Sequence, residues 1–220
     1  MARRIAVVSG GLSEPSTTRL LADRIAAAVT TQITARGEGA EIEFVELRPL
    51  AQDLATTVAT GGLPTLAIAE AREKIAAAEG LVAVTPVFSA SYSGLFKLFF
   101  DVLDTASLVG TPVLIAATAG SERHSLVLDH ALRPLFSYLR AVVVPTGVFA
   151  ATNDFGAGAE GAELSVRIRR AASELACQVV AERVPLPGFA QREEDLARVS
   201  GNNVDARVTP FADLLKGHEG

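Results

Sequence analysis

The sequence has no tryptophan, one cysteine, one methionine and three histidines, and aromatic residues fill only 5% of its 220 positions. A single cysteine excludes an intramolecular disulfide framework, and histidines scattered at 124, 130 and 218 offer no spacing for a zinc site. The shortage of aromatics argues against an aromatic-rich recognition surface and for small aliphatic side chains in tight layers. Excess positive charge is missing too. Lys and Arg number 20 against 25 Asp and Glu, a net charge of -5, which argues against nucleic acid as the main partner because phosphate backbones need a basic field. No uninterrupted apolar run reaches the ~20 residues of a membrane span. Met1-Ala2-Arg3-Arg4 resembles the start of a twin-arginine export signal, but the apolar run after it ends at Val8, before Ser9-Gly10-Gly11. That core is too short for a signal. The two arginines therefore read as the solvent end of a first strand, and the expected location is cytoplasmic, with no membrane partner.

What remains is a chain that is 49% hydrophobic and 20% charged, a globular balance. Short apolar runs alternate with longer helical periods, the sequence form of a parallel sheet covered by helices. Strands are expected at 4–9, 41–47, 81–85, 112–118 and 141–144, the last extending as far as 149. Helices are expected at 16–36, 50–58, 64–79, 91–107, 122–139 and 162–181. Pro86 should stop the third strand. Pro134 inside the fifth helical pattern costs ~3 kcal/mol unless it marks a kink or a new first turn. The pattern predicts an α/β fold, a doubly wound five-stranded parallel sheet of order 2-1-3-4-5. Residues 1–185 form this domain; residues 186–220 are a charged tail whose Phe211, Leu214 and Leu215 suit docking on a neighbouring subunit.

Ligands of such sheets bind beyond the carboxyl ends of the strands, near the switch in strand order. The loop after the first strand, Ser9-Gly10-Gly11-Leu12-Ser13-Glu14-Pro15-Ser16-Thr17-Thr18, combines two glycines with hydroxyls and opens a helix. Backbone N–H groups at the positive end of that helix make a cradle for a phosphate dianion. It is neither a Walker loop nor a dinucleotide fingerprint, since the Gly-Lys-Ser/Thr and the third glycine are missing. The plainer reading is an N-cap at Ser16 with a turn. Glu14 would repel a phosphate if it pointed inward. The loop after the third strand, Thr85 to Gly94, can present backbone groups to the edge of a flat heterocycle while Phe88 or Tyr92 covers a face. The loop after the fourth, Thr118-Ala119-Gly120-Ser121, adds small residues and donors beside the same crevice.

Other residues attract weaker readings. His124, in the first turn of a helix, is solvent-facing. Lys97 is a surface lysine with its stem along the helix. Phe96 and Phe100 either widen the core face of their helix or pack against another subunit, and the interface is favoured. Cys177 lies off the apolar stripe of its helix, an inert thiol. No nucleophile triad, carboxylate pair or metal cluster emerges, so no catalytic side chain and no metal ligand is assigned.

At these three loops the sequence resembles the NADPH-dependent FMN reductase family, and within it the flavin reductases that feed two-component monooxygenases, including the alkanesulfonate and methanesulfonate systems. The similarity is carried by Ser9-Gly10-Gly11 with Ser16-Thr17-Thr18, by Thr85-Pro86-Val87-Phe88-Ser89-Ala90-Ser91-Tyr92-Ser93-Gly94-Leu95-Phe96-Lys97, and by Ala117-Thr118-Ala119-Gly120. The run Asp129-His130-Ala131-Leu132-Arg133-Pro134-Leu135 also resembles the family's fifth helix. The resemblance spans about residues 3 to 150. It implies a flavodoxin-like fold, FMN as cofactor with NAD(P)H as co-substrate, and a homodimer or homotetramer. Carried over by position, Ser9, Ser13, Ser16, Thr17 and Thr18 would hold the FMN phosphate. Pro86, Val87, Phe88 and Ser89 would line the isoalloxazine, with Thr118, Ala119, Gly120 and Ser121 on its other side. The chain departs from the pattern at Gly11, where many relatives have Ser, near Ser13, where they have Arg, and at Ala119, where Gly is common. The function so implied is reduction of FMN by NAD(P)H for a partner flavin-dependent monooxygenase. The alternatives are an FMN-bound quinone, azo or metal-oxyanion reductase and a flavodoxin-type electron carrier.

Overall fold

The computed structural model describes residues 2–156 and 158–181. Its strands are β1 (Ala2–Ser9), β2 (Gly39–Glu46), β3 (Gly80–Phe88), β4 (Ser91–Tyr92), β5 (Pro112–Ala119), β6 (Val142–Val143) and β7 (Val148–Ala151). The helices are α1 (Thr17–Thr34), α2 (Ala51–Ala59), α3 (Leu66–Ala77), α4 (Gly94–Asp101), α5 (Arg133–Tyr138) and α6 (Ala159–Val180). The parallel sheet runs β2-β1-β3-β5-β6, and β7 continues the last edge by pairing the upper half of β5. Counting β6 and β7 as one interrupted strand, this is the flavodoxin-like order 2-1-3-4-5 expected from the sequence.

Alternate residues of each central strand feed opposite cores, which is why these strands read as unbroken apolar runs. Ala6, Val8, Leu81, Ala83, Val113 and Ile115 pack toward Phe96, Phe99, Phe100 and Phe136. Ile5, Val7, Val82, Val84, Leu114 and Ala116 pack against the apolar stripes of α1 and α6. At Gly80 a Cβ would sit 2.8 Å from Cγ2 of Val179, so α6 lies too close to β3 for any side chain there.

The departures from expectation cluster around the prolines. β3 does not stop at Pro86; Pro86 keeps register with Thr118, and the strand continues to Phe88. The chain then reverses at Ser89 (φ 49) and Ala90 (φ 63) and returns as β4, with Val87 opposite Tyr92 and Phe88 opposite Ser91. Residues 91–92 therefore belong to a hairpin and not to a helix. The Thr85 hydroxyl accepts from the Ser93 N–H at 3.0 Å, and the Ser93 hydroxyl accepts from the Phe96 N–H at 3.2 Å, which starts α4 only at Gly94. α4 ends at Asp101, short of 107, because Asp104 accepts from the Ala106 N–H (2.9 Å) and the Ser107 hydroxyl (2.7 Å) in a turn.

The expected helix at 122–139 divides into a 3-10 turn (Glu122–His124), a π-helical turn (Leu128–Leu132) and α5. Pro134 falls in the first turn of α5, where a missing N–H costs little. The fifth strand breaks between Val143 and Val148, where Thr146 is held instead by Glu174 through its N–H and hydroxyl, each at 2.7 Å. α6 begins three residues earlier than expected.

Phe96 and Phe100 are 0% and 2% exposed, their rings 4.7 Å apart and both packed on Phe136. That corrects their expected place in a subunit interface: the wide apolar face of α4 is covered from within. Lys97 pairs with Asp101 on the surface, and Cys177 and His124 are exposed. The tail at 186–220, with Phe211, Leu214 and Leu215, lies outside the described residues. Among the described residues, no helix is long and apolar enough to cross a membrane.

Candidate active site at the carboxyl ends of the central strands

β1 is followed by a loop that Gly11 lets fold back on the start of α1. A Cβ at Gly11 would lie 2.1 Å from the Ser16 hydroxyl oxygen, the atom that accepts from the Arg19 N–H at 3.2 Å and caps the helix. The departure at Gly11 is thus coupled to the cap: any side chain here evicts Ser16 from its bond. The first turn of α1 carries no acidic residue, so the positive end of the helix dipole faces the loop uncompensated. Glu14 does not point inward against it. It pairs with Arg48, which follows β2, and its side chain is largely exposed.

The carboxyl ends of β1, β3, β5 and β7, with the turns that follow them and the start of α1, enclose one open cleft of about 410 Å³. From the first come Leu12, Ser13, Thr17 and Thr18; from the second Pro86, Val87 and Phe88. Thr118, Ala119 and Gly120 close the opposite wall, and Thr152 reaches in from the end of β7. Phe88, 47% exposed, is the one aromatic in this wall. Tyr92 lies instead against Phe96, with ring centroids 6.1 Å apart. The hairpin therefore separates two aromatics that the sequence left as equal candidates.

Nine of the residues expected at the site meet in this cleft. Ser9 and Ser16 line an adjoining pocket that shares Ser13 with it. Ser89, at the hairpin tip, and Ser121, after β5, line neither. Leu12 and Thr152 were not foreseen. Thr152 had a signal in the sequence, since it follows the last strand at the same end of the sheet, but the break in that strand concealed where it ended.

The profile of NADPH-dependent FMN reductases matches residues 3–156. The chain belongs to that family. The NADH-dependent FMN reductase SfnF of Pseudomonas fluorescens (strain Pf0-1) is 40% identical over 174 residues, 79% of this chain and 90% of the relative. An FMN reductase (NADPH) of Pseudomonas aeruginosa is 39% identical over 176 residues, 79% and 90% of the two chains. The X-ray structure of an oxidoreductase from Corynebacterium diphtheriae superposes with a TM-score of 0.79 at 58% identity, covering 82% of this chain and 98% of that one. The protein is accordingly an NAD(P)H-dependent FMN oxidoreductase, with FMN and a nicotinamide nucleotide as its redox partners.

The cleft fits such a flavin on its own terms. It joins a tight glycine turn, a positive helix end with no acidic residue in its first turn and a row of hydroxyls to a flat apolar wall. A phosphate monoester suits the first group, and an aromatic heterocycle suits the second.

Proposed function

We propose that this reductase treats FMN as a travelling substrate and supplies reduced flavin to a partner flavin-dependent monooxygenase. The observation that carries this reading is the chemistry of the cleft wall: none of its residues bears a charge. The phosphate end is left to the hydroxyls of Ser13, Thr17 and Thr18 and to the α1 N–H groups, with Ser9 and Ser16 behind them. Neutral donors hold a dianion less firmly than guanidinium or ammonium groups do. The ring lies along Pro86, Val87 and Phe88, with Ser89 at the hairpin tip, and its other side meets Thr118, Ala119, Gly120 and Ser121.

FMN, when bound, supplies the hydride acceptor, so the protein needs no nucleophile of its own. The chain's task is to hold flavin and nicotinamide at near-attack distance. Rigid backbone does that here. The hairpin 87–92 is fixed by the Thr85–Ser93 bond, and the β5 wall is tied to α1 by a buried hydroxyl pair.

The test is delivery. Purified protein, NADH and FMN are mixed with a flavin-dependent alkanesulfonate monooxygenase, and sulfite release is followed. Sulfite formation that requires all components supports the proposal. If flavin stays on the protein through gel filtration and only quinones, azo dyes or metal oxyanions are reduced, the flavin is resident and the proposal fails.

A further inference from the structure

β7 pairs β5 along one edge only. On its outer edge two side chains stand where a further strand would. Oδ2 of Asp154 accepts from the Ala151 N–H at 2.8 Å, and the Arg167 guanidinium, reaching over from α6, donates to the Phe149 carbonyl at 3.4 Å. The same guanidinium nitrogen lies 3.7 Å from that carboxylate oxygen. Asp154 is 8% exposed, the one charged residue that is buried among those described. A buried carboxylate is costly unless it is paired and hydrogen-bonded, and both conditions are met at this one turn. The 3-10 turn so secured, Thr152–Phe155, begins with the residue that reaches into the cleft from this strand.

The β5 side of the cleft offers few hydrogen-bonding side chains. Ala119 and Gly120 have none, and Thr118 shares its hydroxyl with Thr18. Thr152 is exposed, and its hydroxyl has no partner among the described residues. β7 lies three strand spacings, about 14 Å, from β1, so Thr152 stands at the end of the cleft away from the Ser13 and Thr17 hydroxyls. A phosphate held at those hydroxyls leaves the ring to meet Thr152. The isoalloxazine edge carries carbonyls and an N–H, and a hydroxyl both donates and accepts. We propose that Thr152 hydrogen-bonds the ring edge of the flavin, and that Asp154, braced by Arg167, is the positioning residue that holds it there. This rests on the proposed placement of FMN, with its phosphate at α1 and its ring along β3.

The experiment titrates flavin-freed protein with FMN and with riboflavin, which has the ring and no phosphate, and reads Kd by flavin fluorescence. Thr152→Val should raise both Kd values by about fivefold, the effect of one lost hydrogen bond, with KM for NADH within about twofold of wild type. Asp154→Ala should raise them by a similar factor. Asp154→Asn, whose amide oxygen still accepts from the Ala151 N–H, should keep most of the affinity. Thr152→Val/Asp154→Ala should bind no more weakly than the poorer single variant, because Asp154 acts only through Thr152. A merely structural Asp154 would weaken binding again in the Thr152→Val background. That additivity, or an unchanged Kd in Thr152→Val, would overturn the proposal. So would a loss seen with FMN and not with riboflavin, which would put Thr152 on the phosphate. Thr152 is exposed, so its variant decides the matter even where Asp154→Ala fails to fold. Binding is read without turnover: a wild type that delivers no reduced flavin to a monooxygenase would overturn the substrate reading and leave these Kd ratios to judge this one.

Discussion

The hydroxyl oxygens of Thr18 and Thr118 lie 2.8 Å apart, and both residues are only 3% exposed. This bond ties the first turn of α1 to the end of β5 across the intervening β3, and both residues also line the cleft. Replacing one partner strands the other. Thr118→Val should therefore cost about 1–3 kcal/mol, the penalty of a buried hydroxyl without a partner. The double variant Thr18→Val/Thr118→Val should recover much of that loss. Urea unfolding of the two single variants and the double measures it; a double-variant loss equal to the sum of the two single losses would argue against a coupled pair.

Gly11→Ala should weaken FMN binding by about tenfold with only a modest loss of stability, because the new Cβ displaces the Ser16 cap at the mouth of the cradle. Fluorescence titration with FMN reads the effect. Unchanged affinity would mean that the turn re-forms without Ser16.

Phe88→Ala should raise the KM for FMN severalfold and leave unfolding within about 0.5 kcal/mol, as expected for a half-exposed side chain outside the core. Phe100→Ala should do the reverse. It removes a ring from a closed cluster with Phe96, Phe99 and Phe136 and should cost about 3–5 kcal/mol, with the oligomeric state unchanged.

These two phenylalanines show how far the sequence could be read. Periodicity located the strands, their order and the helices, because apolar runs buried on both faces leave a strong signal. It could not tell an α4 face packed on Phe136 from one facing another subunit, since an apolar face looks the same whichever surface covers it. The hairpin was illegible for another reason: Ser91 and Tyr92 suit a helix start, and only the Thr85–Ser93 bond and the positive φ at Ser89 and Ala90 commit them to a strand. The β1–α1 loop that borders the cleft was legible through its own glycines and hydroxyls. The adjoining pocket was not, because Arg19 and Glu46 meet only once β2 lies beside β1.

A pH dependence follows from the amino end of the sheet. The Arg3 guanidinium hydrogen-bonds Glu38 and Glu79, and its bond to Glu38 holds that carboxyl below its ordinary value of 4.5. A depressed folded-state value means the pair stabilises the fold above that ordinary value and loses its contribution as pH falls through the folded one. Thermal melts of Glu38→Gln should therefore fall less steeply than wild type between neutral and acid pH. Parallel curves would mean that the pair contributes nothing measurable.

The central claim is that flavin passes through this enzyme as a substrate, and steady-state NADH oxidation tests it most directly. Protein freed of flavin by gel filtration is assayed with and without added FMN. The account predicts colourless protein whose oxidation rate is negligible alone and rises to saturation with free FMN. Protein that stays yellow and oxidises NADH at a rate indifferent to added FMN would contradict it.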